Sequence, residues 1–167
     1  MAGTPIDPLS DMIRIGLISD THGLLRPEAL DVLRGSDFIV HAGDIGEGVL
    51  EPLSTIAPVT AVRGNNDRAP WCARIAETQM LRLGEITLHA LHDLAGLAID
   101  PGAAGVDVVV TGHSHRPKIE RRSGVLYVNP GSAGPVRFKL PISLALMQIS
   151  GKDVTARIVE LGSLRAA

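Results

Sequence analysis

Short apolar blocks recur along the chain, and each one stops at a cluster of glycine and polar residues. Residues 12–19 form the first block and predict a β-strand that runs into Asp20-Thr21-His22-Gly23. Residues 27–33 follow helical spacing, with Pro27 at the start and Gly35 past the end. A second strand over 37–42 ends in Gly43-Asp44. A second helix is expected over 46–56, and a third strand over 58–62 ends in Arg63-Gly64-Asn65-Asn66-Asp67. Strands alternating with helices imply right-handed crossovers and parallel neighbours, so these three strand ends lie along one edge of a sheet.

Past a connector at 70–76, the pattern changes to hairpins. Residues 78–83 and 86–91 flank the turn Gly84-Glu85, and the second arm runs into His92-Asp93. Residues 94–104 hold at most a short helix interrupted by glycine and proline. The valine-rich run 106–110 reads as a buried strand and opens onto Gly112-His113-Ser114-His115. A hairpin over 118–122 and 125–128 leads to the turn Asn129-Pro130-Gly131-Ser132. The last hairpin, 142–149 with 154–161, alternates apolar and polar positions as strands with one covered face do. Residues 1–11 lack periodicity and read as an N-terminal extension, which leaves 12–167 as a single domain.

Composition narrows the function. A chain of 167 residues with 45% hydrophobic content can bury one substantial core. No apolar run approaches the roughly 20 residues needed to span a bilayer, and no basic-then-apolar leader opens the chain. The expected location is the cytoplasm, with no membrane partner. A net charge of −2 and an aromatic content of 2% argue against a dedicated nucleic-acid surface, which needs cationic stripes or stacking platforms. The single cysteine, Cys72, excludes an internal disulfide and reads as an inert packed thiol. Any metal must then be held by His, Asp and Asn, a donor set suited to Mn, Fe, Zn or Mg.

Five strand ends offer such donors in order: Asp20 with His22, then Asp44, Asn65, His92, and His113 with His115. Each element alone is a weak signal. The ordered set, each member directly after a predicted strand, is a strong one. Two divalent ions about 3.5–4 Å apart need a shared bridging group and several ligands each. Asp44 can bridge through its two oxygens, and Asn65 can ligate without adding charge. His41 and His89 sit inside strands and read as structural.

This set resembles the motifs of the calcineurin-like metallophosphoesterases. The short length and the Asn129-Pro130-Gly131-Ser132 turn resemble the small bacterial and archaeal phosphodiesterase branch, the YfcE-like proteins. The resemblance implies a four-layer αββα sandwich of two mixed β-sheets flanked by helices. It implies a first metal on Asp20, His22, Asp44 and His115, and a second on Asp44, Asn65, His92 and His113. Manganese comes first among the two divalent ions, with Ni, Fe, Zn or Mg as alternatives. The implied reaction is hydrolysis of a small phosphodiester by a metal-bridging hydroxide, with Asp44, Asn65, Asn66 and His113 around the reacting phosphate. Asp67 and Asp93 are expected to orient ligands or stand in solvent, and Arg116 and Arg137 to contact substrate phosphate.

Two positions depart from the family pattern. Asn66 stands where many members carry a histidine that assists the leaving group, and Asp93 where glycine is common. Two other readings share the fold: a non-catalytic protein scaffold like the retromer subunit of this shape, and a metal-dependent nuclease. Hairpin edges also leave a homodimer open.

Overall fold

The computed structural model describes residues 12–161, so the N-terminal extension expected at 1–11 lies outside the described residues. Two five-stranded mixed sheets pack face to face. In the first, β1 (Ile13–Ile18), β2 (Phe38–His41) and β3 (Val59–Ala61) are parallel. They are extended by β9 (Ser143–Ser150) and β10 (Asp153–Glu160), which form an antiparallel hairpin against β1. In the second, β5 (Ile86–Leu91), β6 (Val108–Val110) and β8 (Val125–Asn129) are parallel. They are flanked by the antiparallel edge strands β4 (Thr78–Leu83) and β7 (Lys118–Arg122).

Strand alternation sorts the side chains into layers. Ile15 and Leu17 of β1, Leu88 and Ala90 of β5, Val108 and Val110 of β6 and Met147 of β9 meet between the sheets and are buried. Each large aliphatic side chain buried this way stabilises the fold by about 1.5–3 kcal/mol. Ile18 and Ile39 face the other way and pack under α1 (Pro27–Leu33) and α2 (Leu50–Ser54) through Ala29, Leu33 and Leu53.

The αββα plan is present, with thinner outer layers than the pattern suggested. The helix expected over 46–56 is confined to Leu50–Ser54, because Gly46 and Gly48 hold left-handed φ values of 82° and 86°. The helix considered for 94–104 is reduced to a 3-10 turn, Leu94–Gly96, started by the Asp93 carboxylate accepting from the Ala95 N–H. Leu94, Leu97 and Tyr127 pack on Leu91, Val106, Val109 and Val125, and no β7 residue joins that cluster. The outer face of β7 therefore lacks a helical cover. No helix among the described residues is long and apolar enough to cross a membrane.

This topology decides where chemistry can occur. The parallel strands of both sheets deliver their C-terminal ends to one edge. There β1, β2 and β3 release Asp20, Asp44 and Asn65, while β5 and β6 release His92 and the His113–His115 pair.

Candidate metal centre

The chain must turn sharply at each strand end to aim its side chain along this edge. Seven non-glycine residues among those described hold a left-handed backbone, and five are Asp20, His22, Asp44, His113 and His115, with φ between 47° and 70°. Asp and His tolerate this region better than most residues, yet each instance costs about 1 kcal/mol or more. Strain of that kind, concentrated on the expected ligands, marks a functional site rather than a loop fault.

The side chains converge. Asp20 Oδ1 lies 3.8 Å from His22 Nε2, 3.8 Å from His92 Nε2 and 3.2 Å from His115 Nε2. Asp44 Oδ2 lies 3.3 Å from His92 Nε2 and 3.8 Å from His22 Nε2. Two triads result, Asp20-His22-His115 and Asp20-Asp44-His92, each with ligand-competent atoms within 4.8 Å of one another. Asp20 belongs to both triads, and Asp44 reaches histidines of both. Asn65 and His113 lie at the exposed rim, where Asn65 Oδ1 is 3.3 Å from His113 Nδ1.

Supporting residues fix the ligand orientations. Asp20 Oδ2 accepts from the Ser19 hydroxyl at 2.6 Å and from the His113 N–H at 3.1 Å, which leaves Oδ1 facing the histidines. His92 donates through Nδ1 to the Ala42 carbonyl at 2.7 Å, so its Nε2 lone pair points inward. Asp44 accepts from the Asn66 N–H and side-chain amide, both at 2.9 Å. Asp67 accepts from the Ile45, Gly46 and Gly64 N–H groups and ties the β2 and β3 loops together through backbone alone.

Burial holds the Asp20 carboxyl above its usual range, helped by the neighbouring Asp44 charge and opposed by the Ser19 hydrogen bond. Asp44 moves the other way. Burial opposes its charge, but the close approach of His92 and the hydrogen bonds from Asn66 outweigh it and hold the group below the usual carboxylate range. Burial pushes His115 down, reinforced by Arg137 and His22, which favours the neutral imidazole a metal requires. Burial also opposes charge on His92, yet Asp44 and Asp20 raise it, so a proton competes for the place between these groups.

The residues fit divalent ions on one physical observation. Asp20 Oδ1, His22 Nε2 and His92 Nε2 are buried and have no hydrogen-bond partner among the described residues. Unpaired buried polar atoms cost on the order of 1–3 kcal/mol each, and three of them facing one another are what a cation would satisfy.

The remaining candidates divide. Asp93 is half exposed and faces His113, with Oδ2 3.7 Å from Nε2, while the Ala42 carbonyl orients His92 instead. Arg137 is exposed and acts electrostatically on His115. Arg116 lines a cavity of about 220 Å³ beside His113. Asn129 was visible in sequence only as a turn residue. It donates to the Gly112 carbonyl and to Ser114 Oγ, and so braces the histidine loop. Ser132 likewise donates to the Asp20 carbonyl at 3.0 Å. A larger cavity, about 470 Å³, lies near the start of β1 between α1 and the β9–β10 hairpin, away from every one of these groups.

His41 is structural, as its place inside a strand suggested. Its Nδ1 accepts from the Gly43 N–H and its Nε2 bonds Thr21 Oγ1, which donates to the Ile45 carbonyl. Burial, with help from the His92 charge, pushes it down from 6.5 to about 3. The folded protein thus refuses a proton that the unfolded chain accepts below its usual pKa. Stability is fully present above that pKa and falls as the solution is acidified toward pH 3. His41→Gln keeps a donor and an acceptor without titrating. It is expected to lose about 2 kcal/mol less stability than the parent between pH 7 and 5 in urea unfolding. Equal losses would show that His41 is protonated in the fold.

A two-sheet sandwich with strained acidic and histidine turns at its shared strand edge defines a metal-competent αββα domain. The chain belongs to the calcineurin-like phosphoesterase superfamily, whose domain model matches residues 13–152. A probable metallophosphoesterase of Methanothermobacter thermautotrophicus is 35% identical over 161 residues, covering 89% of this chain and 93% of that one. Phosphodiesterase YfcE of Escherichia coli strain K12 is 30% identical over 167 residues, covering 81% and 88%. Among solved structures, an archaeal phosphodiesterase has a TM-score of 0.73 at 21% identity, covering 88% of this chain and all 100% of that one. Vps29 of Entamoeba histolytica complexed with zinc has a TM-score of 0.70 at 24% identity, covering 89% and 99%.

Proposed function

We propose that this protein is a two-metal phosphodiesterase acting on a small substrate. The observation that carries the reading is the convergence of the unpartnered Asp20 Oδ1, His22 Nε2 and His92 Nε2 in a buried cluster. Asp20, His22, Asp44 and His115 would hold one ion, and Asp44, Asn65, His92 and His113 the other, with manganese the first ion to test. Two such ions supply a Lewis-acidic pair that acidifies water into a nucleophile and neutralises charge on the phosphate.

The chain's own residues then position and tune. Asn66 clamps both Asp44 oxygens, and its amide does not titrate, so position 66 supplies no proton to the departing group. Esters with good leaving groups are therefore the preferred substrates. Arg137, whose charge acts on His115, would bind a non-bridging phosphate oxygen. The scaffold reading rests on the shared fold, and an ion held without turnover would satisfy the buried unpaired atoms equally well, so turnover separates the two readings.

The test is hydrolysis of bis(p-nitrophenyl) phosphate by metal-stripped protein with Mn, Ni, Mg or Zn added back, beside a His113→Ala, His115→Ala double variant. Metal-dependent turnover that disappears in the double variant is expected. Tight metal binding without turnover would favour the scaffold.

A further inference from the structure

The cavity beside His113 exists because a helix is missing. The Leu94–Gly96 turn packs over β8 at Val125 and Tyr127 but does not extend over β7, which leaves a recess of about 220 Å³. Its apolar surface comes from Leu94 and Tyr127. One end touches His113 and Asp93 of the metal centre. Pockets that enclose a whole small ligand run to about 300–1,000 Å³, so this one suits part of a substrate whose remainder lies on the metal side of His113.

Charge defines what that part carries. Lys118, Glu120 and Arg122 project from alternate positions of β7. Glu120 is shared between Lys118 at 3.2 Å and Arg122 at 2.9 Å, and Arg122 also lies over the Tyr127 ring at 5.2 Å. Those cations are occupied. Arg116 differs: it is exposed, and no acidic partner is recorded for it among the described residues. Its backbone N–H bonds Ser114 Oγ, which fixes where the side chain starts. The recess therefore has three cations against the two acids Asp93 and Glu120, and Arg116 is the cation with no acid beside it.

We propose that this recess is the subsite for one ester arm of the diester, and that it selects an arm with an aromatic or apolar body and its own acidic group. The body rests on Leu94 and Tyr127, and the acid meets Arg116. The inference rests on the phosphodiesterase reading. It extends that reading from a reaction type to a substrate class.

The experiment compares 4-nitrophenyl phenyl phosphate with 4-nitrophenyl 4-carboxyphenyl phosphate on the metal-loaded full chain. The parent is expected to favour the carboxylated ester in kcat/KM by about tenfold, and Arg116→Gln to bring that ratio close to one, the size of a charge-assisted hydrogen bond. Calorimetric binding of 4-carboxyphenyl phosphonate, which cannot turn over, should weaken in the variant by a similar factor. Tyr127→Ala should raise KM for both aryl esters. If neither ester is hydrolysed by the parent, the phosphodiesterase reading fails. If both are hydrolysed with a parental ratio near one, or with a ratio and phosphonate affinity that Arg116→Gln leaves unchanged, the subsite is overturned while the reading stands.

Discussion

Asp20→Asn is expected to abolish binding of the ion proposed on Asp20, His22, Asp44 and His115, to weaken the other, and to stabilise the metal-free protein. Asp20 also falls in the triad with Asp44 and His92, so its charge acts on the second site without ligating there. The substitution keeps the shape and removes a full negative charge from the first site and from beside the second. Replacing groups that merely support ligands costs about 10–100-fold in metal affinity or activity, so losing a ligand should exceed a hundredfold at the first site. The metal-free state responds in the opposite direction. There the Asp20 carboxylate is buried beside Asp44, and its Oδ1 accepts no hydrogen bond. An asparagine amide at that place donates to neutral His22, His92 or His115, and the buried charge is gone. Thermal unfolding in chelator should give a Tm at or above that of the parent, while added Mn raises the parent's Tm by clearly more than the variant's. A variant that gains as much stability from Mn as the parent would remove Asp20 from the ligand set.

The second large effect is expected at Gly64. A Cβ there would overlap Asp44 at its Oδ1 and its backbone nitrogen, and backbone cannot swing aside as a flexible side chain does. Gly64→Ala must push apart the loops carrying Asp44 and Asn65, which Asp67 holds together through the Ile45 and Gly64 N–H groups. Overpacking of this kind costs about 3 kcal/mol, which lowers the Tm of a domain this size by roughly 6–12 °C. Metal affinity should fall along with it, because Asn65 follows Gly64 directly. Wild-type stability in Gly64→Ala would mean that the β2 and β3 loops are farther apart than described.

Much of this was legible in the chain because two signals coincide. β-branched strands such as Val108–Val110 need no context to be read, and each candidate ligand follows directly after one. Boundaries failed where backbone conformation overrode pattern. Gly46 and Gly48 carry helix-compatible spacing around them but adopt left-handed φ values, so α2 begins later. Over 94–104 the glycines, Pro101 and the Asp93 cap allow one tight turn and no more. Support for the ligands was harder to see. Asn129, Ser19 and Ser132 are ordinary polar residues near turns, and only the three-dimensional approach of β8 to the β6 loop, or of residue 132 to Asp20, gives them work. Asp93 shows the same limit. Its neighbour in sequence is His92, but its side chain caps the next turn and faces His113.

The proposal of a paired metal site is tested most directly by counting ions. Metal-stripped protein is equilibrated with Mn, freed of excess, and analysed for metal per chain, beside Asp20→Asn and the His113→Ala, His115→Ala double variant. The account predicts about two ions per chain in the parent and at most one retained by Asp20→Asn. A parent that binds one ion, or that binds two which Asp20→Asn keeps, would contradict it.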